Sequence, residues 1–275
     1  MKEKSIVMFS GGLDSRLAVK IMQERGFDVL TVFFKLPFIK QTCKADKVFD
    51  CTKGKLLNEY LDVVKNAKYG RGAGINPCID CRIFMFKKIK EFADKNKINY
   101  IVTGEVVGQR PMSQQKKQID LIEKESGLKH RIIRPLIELG INGRRREKQI
   151  KLAKKFKIKY PNPAGGCLLC EKELKKRLKY LLNRGINEKE IILVDFGRHF
   201  LINDCWVVIG RDEKENKIIE NLDFGKIIEP DYPASSAVIL GKVDKKLIEK
   251  VKKLIKIYSK RGNLKERKKF GQWKL

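Results

Sequence analysis

Three features of the 275-residue sequence predict an α/β fold, a parallel sheet with helices on both faces joined to a small basic α+β carboxyl-terminal domain. The opening KSIVMFS is a short apolar run suited to a strand buried on both faces, and SGGLDS then leads into the helical pattern SRLAVKIMQERG. Strand-like and helix-like segments go on alternating as far as INYIVTG at residues 98–104. Beyond about residue 170 the pattern changes to a basic helix, a hairpin and a lysine-rich tail.

Taken in order, DVLTVFF at residues 28–34 reads as a second buried strand, Leu56 to Val64 as a helix, and Cys81 to Lys95 as a helix with Ile83, Phe86, Ile89 and Phe92 on one face. Such alternation implies parallel strands joined by right-handed crossovers, with ligands at the carboxyl ends of the strands. Further on, EKELKKRLKYLLNRG reads as a helix ending at Gly185, and IILVDFGRHFLINDCWVVIGR as two strands about a turn at Asn203 and Asp204. RDEKENKIIENL is again helical in pattern. Two domains follow, residues 1–175 and 186–275, with the boundary near 171–187.

The formal net charge of +29, from 62 basic and 33 acidic side chains, repels itself unless a polyanion is the partner. A lysine-rich, heat-adapted surface would carry matching acids, and they are missing. No run of eighteen apolar residues occurs, and the opening apolar stretch is too short for a signal-peptide core, so a cytoplasmic protein with no membrane partner is expected. Seven cysteines in that compartment point to metal ligands or reactive thiols in place of disulfides.

A glycine-rich turn between a buried strand and a helix aims backbone N–H groups and the positive helix end at whatever lies in front, which favours phosphate. Gly11 and Gly12 allow close approach, Ser10 and Ser15 add hydroxyls, and Asp14 is suited to hold magnesium or orient a phosphate donor. The Walker A pattern is absent. SGGLDS instead resembles the pyrophosphate loop of the N-type ATP pyrophosphatases, a family of adenine nucleotide alpha hydrolase-like (HUP) fold that includes the tRNA thiouridine synthases. The resemblance implies that Ser10, Gly11, Gly12, Leu13, Asp14 and Ser15 grip ATP while its α phosphorus is attacked, and that the product is an adenylate. TGEVVGQRPMSQ, residues 103–114, places Gly104, Glu105, Gln109, Arg110 and Gln114 at the same sheet end, with Gly104 and Arg110 assigned to the nucleotide.

Cys78 and Cys81 lie in NPCIDCR, Cys167 and Cys170 in NPAGGCLLC. Two CxxC pairs suit a structural zinc, yet the first pair lies at a helix start, where N–H groups would lower thiol pKa values. NPCIDCRIFMFKKIKEFA resembles the P-C-x-x-C segment of the two-thiouridine synthases. There the cysteines carry persulfide sulfur or hold an iron–sulfur cluster with a third, downstream cysteine. The resemblance implies Cys78, Cys81 and Cys167 as the sulfur-handling set, either about a 4Fe–4S cluster or as nucleophile and persulfide relay, with Cys170 a further ligand if zinc is held instead. Cys43, Cys51 and Cys205 read as ordinary thiols, and His130 and His199 as surface or half-buried structural residues.

FGRHFLINDCWVVIGRDEKEN resembles the NFACT-R type of RNA-binding domain, whose G-R-[ND]-x-x-x-N turn is matched by Gly210, Arg211, Asp212 and Asn216. Residues 241–275 add 14 basic residues against 3 acidic ones. KKLIEKVKKLIKIYSKRGN is amphipathic enough for a membrane surface, but its lysines, Tyr258 and the following KERKKFGQWK favour phosphate contact with stacking. Arg198, Arg211, Lys253, Lys256, Arg261 and Lys268 are the candidate RNA contacts.

Together these regions resemble a tRNA thiolation enzyme that uses ATP, magnesium, tRNA and a sulfur donor, whether sulfide, a cysteine desulfurase or a carrier protein. The sequence departs from four-thiouridine synthetases in lacking their large amino-terminal RNA-binding extension, which leaves the uridine and its ring position open. The rival readings are a zinc-stabilised ATP-dependent ligase or amidotransferase acting on a small metabolite, against which the charge argues, and a non-catalytic RNA-binding protein, against which Asp14 and the paired cysteines argue.

Overall fold

In the computed structural model, which describes residues 2–69, 72–162, 166–259, 267, 268 and 270–275, the chain divides into two units, Met1–Lys175 and Lys176–Leu275. KSIVM becomes β1 (Lys4–Met8), with Ile6 and Val7 wholly buried, as a strand covered on both faces requires. There follow α1 (Leu13–Glu24), β2 (Asp28–Lys35), β3 (Lys47–Asp50), α2 (Gly54–Lys65), α3 (Cys78–Lys95), β4 (Tyr100–Thr103), α4 (Lys116–Glu125), β5 (Ile132–Ile133), α5 (Pro135–Glu138) and α6 (Glu147–Lys155).

The five strands lie in the order β3-β2-β1-β4-β5, every pair parallel, with Met8 opposite Val32 on one side and Thr103 on the other. The chain leaves β1 toward β2 and returns to β4 on the opposite side. The order therefore reverses between β1 and β4, where a crevice opens at the strands' carboxyl ends. Two faces of α1 hold it in place. Ala18 and Met22 pack on Val7 and Val102 of the sheet, while Leu13, Leu17 and Ile21 pack on Leu136, Ile141 and Ala153.

A buried charge cluster closes the sheet end. Glu105, 2% exposed, takes Arg82 of α3 and Arg134 before α5, accepts from the Thr103 hydroxyl at 3.0 Å, and Arg134 continues to Glu123 of α4 at 2.8 Å. Burial alone would raise the Glu105 carboxyl, but the two guanidiniums outweigh it and hold it below the usual range. Glu105 is thereby consumed by the fold and is not open to a ligand.

The second unit contains α7 (Lys175–Arg184), β6 (Arg198–Ile202), β7 (Cys205–Ile209), α8 (Glu213–Glu220), β8 (Lys226–Ile228), β9 (Ala237–Leu240) and α9 (Lys245–Tyr258). Its antiparallel sheet runs β6-β7-β9-β8. Asn203 and Asp204 turn the β6–β7 hairpin with φ of 48° and 61°, as a two-residue turn of the primed type demands. Leu247, Val251, Leu254 and Ile255 of α9 cover Phe200, Val207 and Ile239 of the sheet. No helix among the described residues is long and apolar enough to cross a membrane.

His199 is wholly buried, deeper than a half-buried structural residue. Its Nδ1 accepts from Trp206 Nε1 at 2.9 Å and its Nε2 faces the Phe196 carbonyl at 2.7 Å, a pairing that only the neutral ring makes. Burial first, then the charge of Arg177, depress its pKa to about 3. Its neutrality costs nothing above the unfolded-state value of about 6.5, and below it the unfolded chain gains a proton that the folded chain refuses. The second unit should therefore lose about 1.4 kcal/mol of stability per pH unit as pH falls from about 6.5 toward 3. Trp206 and Trp273 are the chain's two tryptophans, both in this unit, so urea unfolding followed by tryptophan fluorescence reads it directly. His199→Gln, which keeps one donor and one acceptor, should flatten that part of the pH dependence.

Candidate active site

The loop after β1 carries the residues singled out from SGGLDS. Gly11 has φ of +74°, and a Cβ there would meet Cys43 Cβ at 2.9 Å, so only glycine fits. Gly12 is the N-cap of α1, and no side chain caps the helix. The first N–H groups of α1, from Leu13, Asp14 and Ser15, thus take no side-chain cap, and the start of a helix is a position that suits an anion. The Leu13 side chain itself is buried in the core. Ser10 and Ser15 hydroxyls stand 3.3 Å apart, Ser15 donates to the Gly12 carbonyl at 3.0 Å, and Arg16 Nε fastens the Gly11 carbonyl at 2.6 Å.

Asp14 lies deeper. Its Oδ2 accepts from Gln109 at 3.1 Å, while Oδ1 is buried without a partner among the described residues. Burial raises the carboxyl's pKa, against the pull of Gln109, Arg146 and Arg110. Gln149 of α6 is fully buried and faces this carboxyl without closing a hydrogen bond; neither of its amide atoms has a partner among the described residues. Gly104 supports the loop from the β4 side. A Cβ there would come within 2.6 Å of the Asp14 carbonyl and 2.8 Å of the Ser15 nitrogen.

Segments that the sequence pattern did not single out complete the front of the loop. Phe9, Ser10, Gly11, Arg16, Gln41 and Cys43 line a cleft of about 610 Å³, and Gln41 donates to the Ser10 carbonyl. Cys43 was read as an ordinary thiol, and its place beside Gly11 depends on the turn that follows β2.

The four paired cysteines meet on the same unit. Helix α3 begins at Cys78, three residues before the expected start, with Pro77 as its cap. The 3-10 turn Leu168–Cys170 docks on the approach to that helix, because the Leu169 carbonyl accepts from Ile75 and Asn76 at 2.8 and 2.9 Å. Gly74 permits the approach, since a Cβ would lie 2.7 Å from that carbonyl. Pro163, Ala164 and Gly165 of the NPAGGC segment lie outside the described residues, as does Arg261.

Cys78 Sγ and Cys170 Sγ stand 3.8 Å apart, and Cys81 Sγ meets the Tyr60 hydroxyl at 3.5 Å. Among the described residues no three His, Cys, Asp or Glu side chains already stand about one point as metal ligands do. The helix-start N–H groups do not win the thiol equilibria as expected. Cys78 is pushed up by its bond to Cys170 and by burial, Cys167 likewise, and Cys81 to about 12 mainly by burial. The favoured thiolate sits on Cys170, lowered by the S–H groups of Cys167 and Cys78. Arg110 favours the negative charge of Asp14, of Cys78 and of Cys170 alike, which puts one guanidinium within electrostatic reach of both the loop and the thiols.

Of the carboxyl-terminal candidates, Arg198 donates to the Gly210 carbonyl at 2.9 Å and Arg211 is held by Glu215. Lys253, Lys256 and Lys268 are exposed. Asp212 caps α8 by accepting from Glu215 N at 2.9 Å, and Asn216 ties Ala234 and Ser236, so these two serve the fold.

Residues 1–160 match the family described as thiamine biosynthesis protein (ThiI), and residues 197–269 match the NFACT protein RNA binding domain. A probable tRNA sulfurtransferase from Saccharolobus islandicus is 27% identical over 208 residues, 70% of this chain and 51% of that protein. A tRNA-specific 2-thiouridylase from Nitratiruptor sp. is 30% identical over 120 residues, 38% of this chain and 35% of that one. The chain thus spans a third to a half of the length of these curated relatives. Among solved structures, a 4-thiouridine synthetase in complex with RNA and bound ATP is similar at 18% identity and a TM-score of 0.45, over 70% of this chain and 52% of that one.

The Gly104 contact yields a direct test of the loop. Gly104→Ala should displace the first turn of α1 and weaken ATP binding at least about tenfold by calorimetry, at an overpacking cost of about 1–3 kcal/mol in unfolding free energy. Unimpaired ATP binding by a folded Gly104→Ala variant would separate the loop from the nucleotide.

Proposed function

Because the chain belongs to the thiamine biosynthesis protein (ThiI) family over residues 1–160, we propose that it is an ATP-dependent tRNA sulfurtransferase that thiolates a uridine. The observation that carries this reading is the exit of β4, where Gly104 abuts the first turn of α1 behind the loop and Glu105 pairs with Arg82, the residue after Cys81. An activating nucleotide site and a sulfur site must be neighbours if one base is to visit both. Residues 1–175 are assigned this chemistry, and 186–275 the capture of RNA.

A uridine carbonyl oxygen is a poor leaving group. Attack of that oxygen on the α phosphorus of ATP forms the adenylated base and releases pyrophosphate; a sulfur nucleophile then adds to the ring carbon and AMP departs with the oxygen. Ser10, Gly11, Gly12, Leu13 and Ser15 hold the departing pyrophosphate through backbone N–H groups and hydroxyls, where charge develops. Arg110 offsets charge on the phosphates. Asp14 offers an unpartnered carboxylate oxygen that suits magnesium, a hard ion that prefers oxygen.

Cys78, Cys81, Cys167 and Cys170 form a soft donor set that fits an iron–sulfur cluster or zinc. The 3.8 Å between Cys78 and Cys170 sulfurs equals the edge of about 3.8 Å that a tetrahedral ion with Zn–S of about 2.3 Å imposes, so the pair also fits zinc. A cluster held by three of the four thiolates would supply an open iron for sulfide, and that is the reading preferred for Cys78, Cys81 and Cys167. Cys170 remains beside them to relay sulfur or protons. The sulfur donor is a sulfide source, free or delivered by a desulfurase or carrier.

With ATP, magnesium, sulfide and bulk tRNA under anaerobic conditions, the expected products are AMP, pyrophosphate and a thiolated nucleoside detected by mass spectrometry. ADP as the sole nucleotide product would overturn the reading. Asp14→Asn should lose both pyrophosphate release and thiolation. Cys78→Ala, Cys81→Ala and Cys167→Ala should lose thiolation about 100-fold or more while tRNA-dependent pyrophosphate release persists. Loss of zinc and of fold stability in all four Cys→Ala variants, with thiolation surviving in the folded remainder, would reduce the cysteines to a structural zinc site.

A further inference from the structure

The guanidiniums of the second unit are arranged differently from its lysines. Arg198 and Arg267 lie over the Tyr258 ring, at 5.4 and 5.3 Å from its centre. Backbone carbonyls fix their positions: Arg198 donates to Gly210, and Arg267 to Ile257 at 3.1 Å and Ser259 at 3.3 Å. Arg177 donates to the Val194 carbonyl at 3.0 Å, and its Nε is buried without a partner among the described residues.

A carbonyl orients a guanidinium but does not cancel its charge. The consequence is visible in how these groups act on one another. Arg198 is lowered by burial and then by Arg267 and Arg211, and Arg177 is lowered to about 10 by burial and then by Arg211. Glu215 and Asp195 offset part of this field, Glu215 by gripping Arg211. Mutual repulsion between fixed cations is a standing cost that an arriving polyanion removes. By contrast the lysines of α9, such as Lys250 and Lys253, are exposed on flexible stems. They give a diffuse attraction and no fixed geometry.

We propose that Arg198 and Arg267, set over Tyr258, form a pre-set rim that grips the phosphates of the RNA backbone, with Arg177 and the Glu215-held Arg211 adding to the field around them and the lysine face of α9 contributing only long-range attraction. The proposal rests on the reading of residues 186–275 as the RNA-capturing part, and it names where on that part the backbone is held. Tyr258 is occupied by its two arginines and by Phe200, at 5.4 Å between ring centres, so its role is to position the guanidiniums and not to stack on a base.

The test is binding of bulk tRNA to the full chain by fluorescence anisotropy across about 50 to 200 mM salt, where each lost phosphate contact lowers the slope of log K against log salt by about 0.7–0.9. Arg198→Gln and Arg267→Gln should each lower it by that amount and weaken binding at every salt concentration. Arg198→Lys should keep the slope, because the charge is retained, yet bind more weakly than the parent because the fork is lost. Lys250→Gln and Lys253→Gln should change the slope by less than half as much. Tryptophan fluorescence verifies folding of each variant; should Arg198→Gln fail to fold, Arg267→Gln and Arg198→Lys carry the comparison. If the parent chain binds tRNA with a strong salt slope and the arginine variants match it, or if the lysine variants show the larger loss, the rim is overturned while RNA capture stands. If the parent chain does not bind tRNA, the functional reading falls and the rim with it.

Discussion

A single buried carboxylate organises the first unit. Glu105, at the end of β4, lies between Arg82 of α3 and Arg134 at the start of α5. A buried charge costs several kcal/mol unless its partners are close and its remaining lone pairs are satisfied, and here the Thr103 hydroxyl supplies the further bond. The cluster has a geometric consequence. Arg82 follows Cys81 directly, so the same ion pair that satisfies Glu105 fixes where the CxxC start of α3 stands relative to the Gly104–Arg110 segment. The glycine-rich loop is fixed from the other side, because Gly104 lies against the first turn of α1 with no room for a Cβ. Loop and thiols share one sheet end because two adjacent residues of the β4 exit, Gly104 and Glu105, each anchor one of them.

Much of this was legible in the sequence because it depends on short-range chemistry. SGGLDS after an apolar run and the alternation that builds a parallel sheet are local patterns, and the strand, loop, helix and parallel order stand where they place them. The two short strands β3 and β5 were not legible, since KVFD and a two-residue II carry too few residues for a period to show. Glu105 looked like a site residue because it sits in a site loop; only the arrival of Arg82 and Arg134 from remote segments shows that it is spent on the fold. Gln149 and Gln41 have the opposite character. Nothing in REKQIKLA or KQTCK marks a functional amide, and their places beside Asp14 and Ser10 come from tertiary packing alone.

The thiols show why local reasoning about acidity fails. A cysteine at a helix start feels N–H dipoles, but Cys81 is buried and Cys78 shares its proton with Cys170, so desolvation and neighbours decide. The outcome is a cluster holding little negative charge: Cys170 carries it, within the field of Arg110. A soft cation or an electrophilic sulfur taken up by such a set would have to displace protons from the raised groups, so uptake would be linked to pH through them and not through Cys170. The Tyr60 hydroxyl, buried beside Cys81, offers a hydrogen bond to that sulfur once it is deprotonated.

The large positive charge is distributed in two ways. In the first unit Arg82 and Arg134 meet Glu105 and Glu123, and Arg131 meets Asp94. Helical lysines are partly cancelled too, Lys20 by Glu24, Lys88 by Glu59 and Lys90 by Asp94. Such exposed pairs are worth little to stability, but they remove charge from the surface field. With 62 basic side chains and 33 acidic ones, pairing cannot reach them all, and the last 35 residues alone carry 14 basic side chains against 3 acidic ones. The second unit then holds several of its arginines with backbone carbonyls. An unneutralised cation that is nevertheless fixed in place keeps its full attraction for phosphate and has already lost the side-chain freedom that binding would otherwise cost. Arg82 and Arg134 are thus spent on holding the sheet end together, whereas Arg198 and Arg267 are fixed in place with their charge kept available.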